Sequence, residues 1–109
     1  MKLISFTYRI TPEKEGGFSV KCLDWSPVFT QCESIAECKK NAIEATEAML
    51  EILKEGKLAK TVYPKVKHHA ANPSHFQLTF NVESARYINL SSIFRKTKFH
   101  SLRSLTAIF

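Results

Sequence analysis

The sequence lacks the features that define several broad classes of protein. Its 109 residues contain no apolar run near the roughly 20 residues that a membrane-spanning helix needs. Residues 1–9 alternate between apolar and polar types, which is unlike a secretory signal peptide. We therefore expect a cytoplasmic protein of one main domain, with no membrane partner.

Cysteine is scarce, and the spacing of the cysteines does not favour a metal site. The three are Cys22, Cys32 and Cys38; no CxxC occurs, and five residues separate the last two. We interpret them as small, partly buried thiols. His68 and His69 are adjacent in a proline-flanked segment, where solvated side chains are the usual case. We predict neither a metal nor another cofactor.

Acidic residues are almost absent from the second half of the chain. Residues 1–56 carry seven Lys/Arg and nine Asp/Glu, a net charge of −2. Residues 57–109 carry nine Lys/Arg and a single acid, Glu83, a net charge of +8. This asymmetry indicates two surfaces that attract different partners.

The apolar pattern changes period along the chain and predicts an α+β fold. Alternating residues predict four strands and a 3.6-residue period predicts one helix, at residues 3–10, 18–22, 28–31, 35–55 (the helix) and 76–82. Gly16-Gly17 suits a tight hairpin, Ser34 with Glu37 forms a capping-box pattern, and Gly56 suits the end of the helix. We expect the first three strands to form an antiparallel sheet with the helix packed on one face.

The helix separates apolar from acidic residues. We expect a core containing Ile4, Phe6, Phe18, Val20, Ile43, Met49 and Leu53. Six glutamates, Glu33, Glu37, Glu44, Glu47, Glu51 and Glu55, project away from that core within an arc of roughly 80°. An ordinary solvated face and a docking surface for a basic partner are both consistent with this pattern.

The segments that flank the last predicted strand are basic. The connection at residues 57–74 contains lysines, Pro64 and Pro73 but no acid, and no regular structure is predicted there. We divide the chain into a domain at residues 1–82 and a basic C-terminal tail at residues 83–109, whose apolar spacing admits one or two short helices.

The order of these elements, together with three motifs, resembles the HicB family of antitoxins. The motifs are Glu15-Gly16-Gly17-Phe18, Val20-x-Cys22-x-Asp24 and Gln31-x-Glu33-Ser34-x-x-Glu37-x-x-x-Asn41-x-x-Glu44-Ala45. The resemblance covers residues 3–56 and the strand at 76–82. It implies a β-β-β-α-β, partial ribonuclease-H-like fold without nuclease activity, in a protein that forms homo-oligomers. It also implies an antitoxin of a type II toxin–antitoxin system, which inhibits a HicA-type mRNA-cleaving toxin.

Two sets of residues are candidates for contacting partners. Toxin-binding candidates are Glu44, Glu47 and Glu51 on the helix, or Asp24 and Trp25 in the loop before the third strand. Nucleic-acid-binding candidates are Arg95, Lys96, Lys98, His100 and Arg103, because cations neutralise phosphates. A solvated basic edge explains the second set equally well.

Three classes of function remain open at this point. The first is the antitoxin, with autoregulatory DNA binding as an optional second activity. The second is a stand-alone DNA- or RNA-binding regulator that uses the tail, and the third is a HicB-like oligomer without a toxin partner. We expect no enzyme, since the acids outside the helix are few and do not form a recognisable metal-binding set.

Overall fold

The computed structural model describes residues 2–89, which form one antiparallel sheet and one long helix. The elements are β1 (Leu3–Pro12), β2 (Phe18–Cys22), β3 (Phe29–Cys32), α1 (Ile35–Lys54), β4 (His75–Asn81) and β5 (Arg86–Ile88), with a 3-10 turn at Lys60–Val62. The protein is therefore α+β, as predicted. Within this part of the chain, no helix combines the length and the apolar character needed to cross a membrane.

The sheet has the strand order β3-β2-β1-β4-β5, so β1 lies at its centre. The prediction of a three-stranded sheet followed by a fourth strand is wrong in the number of strands, because five strands form one sheet. Strand β5 pairs with β4 and falls in the segment that was expected to be a tail. Arg86–Ile88 was not predicted because three residues are too few to show alternation. Because β5 pairs with β4, the sheet extends beyond residue 82.

Local sequence signals place the hairpin and the helix correctly. Gly17 has φ +74, and a Cβ at this position would lie 2.8 Å from the carbonyl oxygen of Cys32, so glycine is required on both counts. At the start of α1, the hydroxyl of Ser34 accepts a hydrogen bond from the Glu37 N–H at 3.2 Å. Gly56 follows the helix with φ +73.

The core lies between α1 and one face of the sheet. Of the residues predicted to be core, Phe6 and Val20 are fully buried. The other five, Ile4, Phe18, Ile43, Met49 and Leu53, are partly buried and pack against the core. The helix places its buried residues, Cys38, Ala42, Thr46 and Leu50, at intervals of four along one face.

A polar side chain within this face was not predicted to be buried. Thr46 is fully buried, and its hydroxyl donates to the carbonyl of Ala42 at 2.7 Å. The phenol of Tyr8, 2.6 Å away, therefore donates to the Thr46 oxygen. This chain of hydrogen bonds satisfies both buried hydroxyls and joins β1 to α1.

The sheet face opposite α1 is polar. Across the pairing of β1 with β4, the Ser5 and Thr79 hydroxyls lie 2.8 Å apart, and the Gln77 amide donates to the Thr7 hydroxyl at 3.2 Å. Alternation along β1 thus separates a core face from a hydrogen-bonded polar face. Thr7 and Gln77 of this face line one cavity together with residues 69–72 of the basic connection.

Candidate functional site

The exposed side of α1 carries carboxylates that are free to meet a partner. Glu37 and Glu44 are exposed, and Glu51 is half-buried. Within residues 2–89, none of the three forms an ion pair with another side chain. These three residues are referred to below as the acidic helix surface, and among residues 2–89 their negative charge has no side-chain counter-ion.

Glu47 does not belong to this surface, which corrects the prediction that it projects freely into solvent. Its carboxylate accepts a hydrogen bond from the backbone N–H of Tyr87 at 2.9 Å, in a partly buried position. Glu47 therefore connects α1 to β5. The sequence could not show this contact because β5 was not predicted.

Asp24 is buried at the point where the chain leaves strand β2. The register of β1 with β2 ends with Tyr8 opposite Cys22, next to Thr7 and Leu23. The Leu23 N–H donates to the Thr7 carbonyl at 2.8 Å, whereas the Thr7 N–H donates to Oδ2 of Asp24 at 2.8 Å. The carboxylate thus takes the place of a backbone acceptor at the end of the ladder.

The other carboxylate oxygen of Asp24 holds the basic connection. Oδ1 accepts from the Lys67 N–H at 2.9 Å and lies 2.7 Å from Nε2 of His69. The Lys65 N–H donates to the backbone carbonyl of Asp24 at 2.8 Å. Residues 65–69 are therefore fixed to the loop after β2 by backbone and side-chain hydrogen bonds together.

These hydrogen bonds determine the charge state of Asp24. Burial by itself raises the pKa of a carboxyl group, but the hydrogen bonds from His69 and from the N–H groups of Thr7 and Lys67 outweigh it. The pKa of Asp24 therefore lies below its usual range. The carboxylate is ionised at neutral pH, and both of its oxygens accept hydrogen bonds from within the fold.

Trp25 is a core residue in this structure and not an exposed anchor. Its side chain is 2% exposed, and its ring centroid lies 5.7 Å from that of Phe6. Its indole N–H donates to the carbonyl of Val62 at 2.6 Å. Because Asp24 and Trp25 are both buried, neither offers a partner a free surface, and the loop alternative for toxin binding loses its basis.

Of the two adjacent histidines of the connection, only His69 differs from the expectation that both are solvated. His68 is exposed, but His69 pairs with Asp24, a carboxylate 45 residues away in sequence. The ring of His75 lies edge-on to that of His69 at 6.4 Å. Within the described part of the chain, no group of three His, Cys, Asp or Glu residues is arranged to hold a metal ion.

Two of the three cysteines are joined, which corrects the interpretation that all are thiols. A disulfide links Cys32 at the end of β3 to Cys38 in α1, with a Cα–Cα distance of 5.0 Å. Cys22 is free and buried, and burial raises its pKa to about 11. Stable disulfides are rare in a reducing cytosol, so this bond does not agree with the predicted cytoplasmic location.

The predicted nucleic-acid-binding residues lie outside the described part of the chain. They are Arg95, Lys96, Lys98, His100 and Arg103. Comparisons of the chain with protein-family models, with characterised proteins and with solved structures gave no significant match.

Proposed function

We propose that this protein is a HicB-like antitoxin that binds a HicA-type ribonuclease and masks its active surface. The observation that carries the proposal is the element order β1-β2-β3-α1-β4-β5, because its first five elements follow the order that the resemblance implies. The motifs that carry the resemblance also lie at defined structural positions. Glu15, Gly16 and Gly17 lie in the turn between β1 and β2, and Phe18 begins β2. Ser34 caps the start of α1 by accepting from the Glu37 N–H.

The acidic helix surface supports a docking role for α1. An enzyme that binds RNA needs a basic surface, so an acidic partner attracts it and covers the region that its substrate would contact. Glu44 and Glu51 carry the charge best placed for this role, because Glu47 is engaged by Tyr87. Inhibition would be steric and electrostatic, without a chemical step.

If a small basic protein is encoded beside this gene, that protein is the toxin candidate, and co-expression with it tests this proposal. Wild-type protein should restore growth that the toxin candidate arrests. The double variant Glu44→Lys, Glu51→Lys should lose rescue, because reversed charges slow the association of an electrostatically steered pair. The fold should survive, since exposed helix charge pairs contribute only about 0.2–0.5 kcal/mol each.

The double variant Glu13→Lys, Glu15→Lys is the matched control. It makes the same change in net charge at exposed positions between β1 and β2, outside α1. Rescue by this control and not by the helix variant supports the acidic helix surface. If wild-type protein neither restores growth nor co-purifies with the toxin candidate, the antitoxin proposal is wrong.

The competing regulator hypothesis stays a prediction, because the basic residues on which it depends lie outside residues 2–89. Homo-oligomer formation is likewise a prediction. Sedimentation of the purified chain with and without the toxin candidate measures the oligomer directly.

A further inference from the structure

We propose that the basic connection forms a binding surface for single-stranded nucleic acid, independent of the C-terminal tail and of the proposed toxin interface. The surface surrounds a cavity of about 340 Å³ between β2 and the connection. Three exposed lysines line this cavity, Lys21 from β2 and Lys65 and Lys67 from the connection. These residues and Tyr63 are referred to below as the basic connection surface.

Hydrogen bonds to Asp24 fix the backbone at two of the three lysines. The Lys65 N–H donates to the carbonyl of Asp24, and the Lys67 N–H donates to its carboxylate, at 2.8 and 2.9 Å. Both residues line the same cavity, as alternate positions of an extended segment can. Holding the backbone of a cationic segment before binding reduces the conformational entropy that a ligand must remove.

No free carboxylate opposes these lysines at the cavity. Residues 57–74 contain four lysines and no acid. Asp24 lines the cavity, but its side chain has 0% exposure and its oxygens already accept three hydrogen bonds. The local charge is therefore positive and selects a polyanion, for which phosphates spaced along a strand are the natural match.

An exposed aromatic residue favours a single strand over a duplex. Tyr63 lines the same cavity and is 39% exposed, although tyrosines are usually covered more completely. Bases present a free ring face only when they are unstacked, and stacking on an aromatic side chain combines with phosphate contacts in proteins that bind single strands. Tyr63 among three lysines reproduces that combination.

Trp25 gives this surface its own spectroscopic reporter. It is the only tryptophan of the chain, it lines the cavity, and its indole contacts Val62 beside Tyr63. Titrating the full chain with an oligouridylate of about ten nucleotides should therefore change the tryptophan emission as the strand occupies the site. The anisotropy of a labelled oligouridylate, measured in parallel, reports binding anywhere on the chain.

The salt dependence gives the expected size of the effect. Each phosphate contact to a single strand contributes about 0.7 to the slope of log affinity against log salt. Lys65→Gln with Lys67→Gln should lower that slope by about 1.4, and it should weaken binding at low salt. Lys39→Gln with Lys40→Gln, at exposed positions of α1, removes the same charge elsewhere and should leave the slope within about 0.3 of wild type.

Tyr63 is tested with a pair of variants. Tyr63→Ala should weaken binding about tenfold, whereas Tyr63→Phe, which retains the ring, should bind as wild type does. Circular dichroism establishes that each variant is folded before it is titrated. Binding by anisotropy without any change in tryptophan emission would overturn the proposal, since the strand would then lie elsewhere. The proposal would also be overturned if the Lys65/Lys67 and Lys39/Lys40 double variants gave equal slopes of log affinity against log salt.

Discussion

Replacing Asp24 with asparagine tests the arrangement that joins β1, the loop after β2 and the connection. The carboxylate accepts from the N–H groups of Thr7 and Lys67 and from His69. Asparagine has nearly the same shape, but it offers only one oxygen. Its amide NH₂ must then face at least one donor, which leaves a buried N–H without an acceptor.

The size of the loss follows from those contacts. Hydrogen bonds to a charged group contribute about 1.5–3 kcal/mol each, and an unsatisfied buried donor costs about 1–3 kcal/mol. We expect Asp24→Asn to lower the free energy of unfolding by about 2–4 kcal/mol. For a domain of this size, that loss corresponds to a fall in Tm of about 15 °C.

Urea unfolding followed by Trp25 emission measures this change, because the indole is 2% exposed in the folded chain. Glu13→Gln is the matched control, since it removes one charge from an exposed residue and should stay within about 0.5 kcal/mol of wild type. A loss below about 1 kcal/mol for Asp24→Asn would refute the importance assigned to these hydrogen bonds.

The stability advantage of wild type over Asp24→Asn should also depend on pH. The pKa of Asp24 in the folded chain lies below the ordinary value of 3.8 that applies to the unfolded chain. The unfolded state therefore binds a proton more readily, so acid favours unfolding. The advantage should be complete above pH 3.8 and should decline as pH falls through the lower folded-state pKa. An advantage that stays constant down to that range would contradict the assignment.

Three further changes test the core. Leu50→Ala should cost about 2–5 kcal/mol, whereas Leu53→Ala, at a half-buried position, should cost less, as urea unfolding can measure. Tyr8→Phe should cost about 1 kcal/mol through the lost hydrogen bond to Thr46, and an equal Tm for the two proteins would contradict that. Cys22 should resist thiol reagents at pH 8 until the chain unfolds, because it is buried and its pKa is raised to about 11.

The sequence predicts elements well where local chemistry determines them. Strand β2 has the predicted bounds, and α1 begins at the predicted residue, Ile35, after the Ser34 cap. Both rest on signals that lie within a few residues of each other. A hairpin glycine such as Gly17 is equally local, because its positive φ is a property of one residue.

The sequence is a poor guide where contacts join distant segments. Asp24 and His69 are 45 residues apart, and no local pattern brings them together. The polar side chain of Thr46 gives no local signal of burial, because its hydrogen-bond partner Tyr8 lies on β1. Ile35 shows the opposite case, since it is apolar but 56% exposed at the helix start.

The central claim is tested most directly by asking whether this protein inhibits RNA cleavage by the purified toxin candidate. The measurement is the initial rate of cleavage of a model mRNA as the full chain is added to a fixed amount of that toxin. The account predicts that cleavage falls linearly to zero at a fixed molar ratio, and that Glu44→Lys with Glu51→Lys slows the onset of inhibition. Cleavage that continues undiminished in the presence of a large excess of wild-type protein would contradict it.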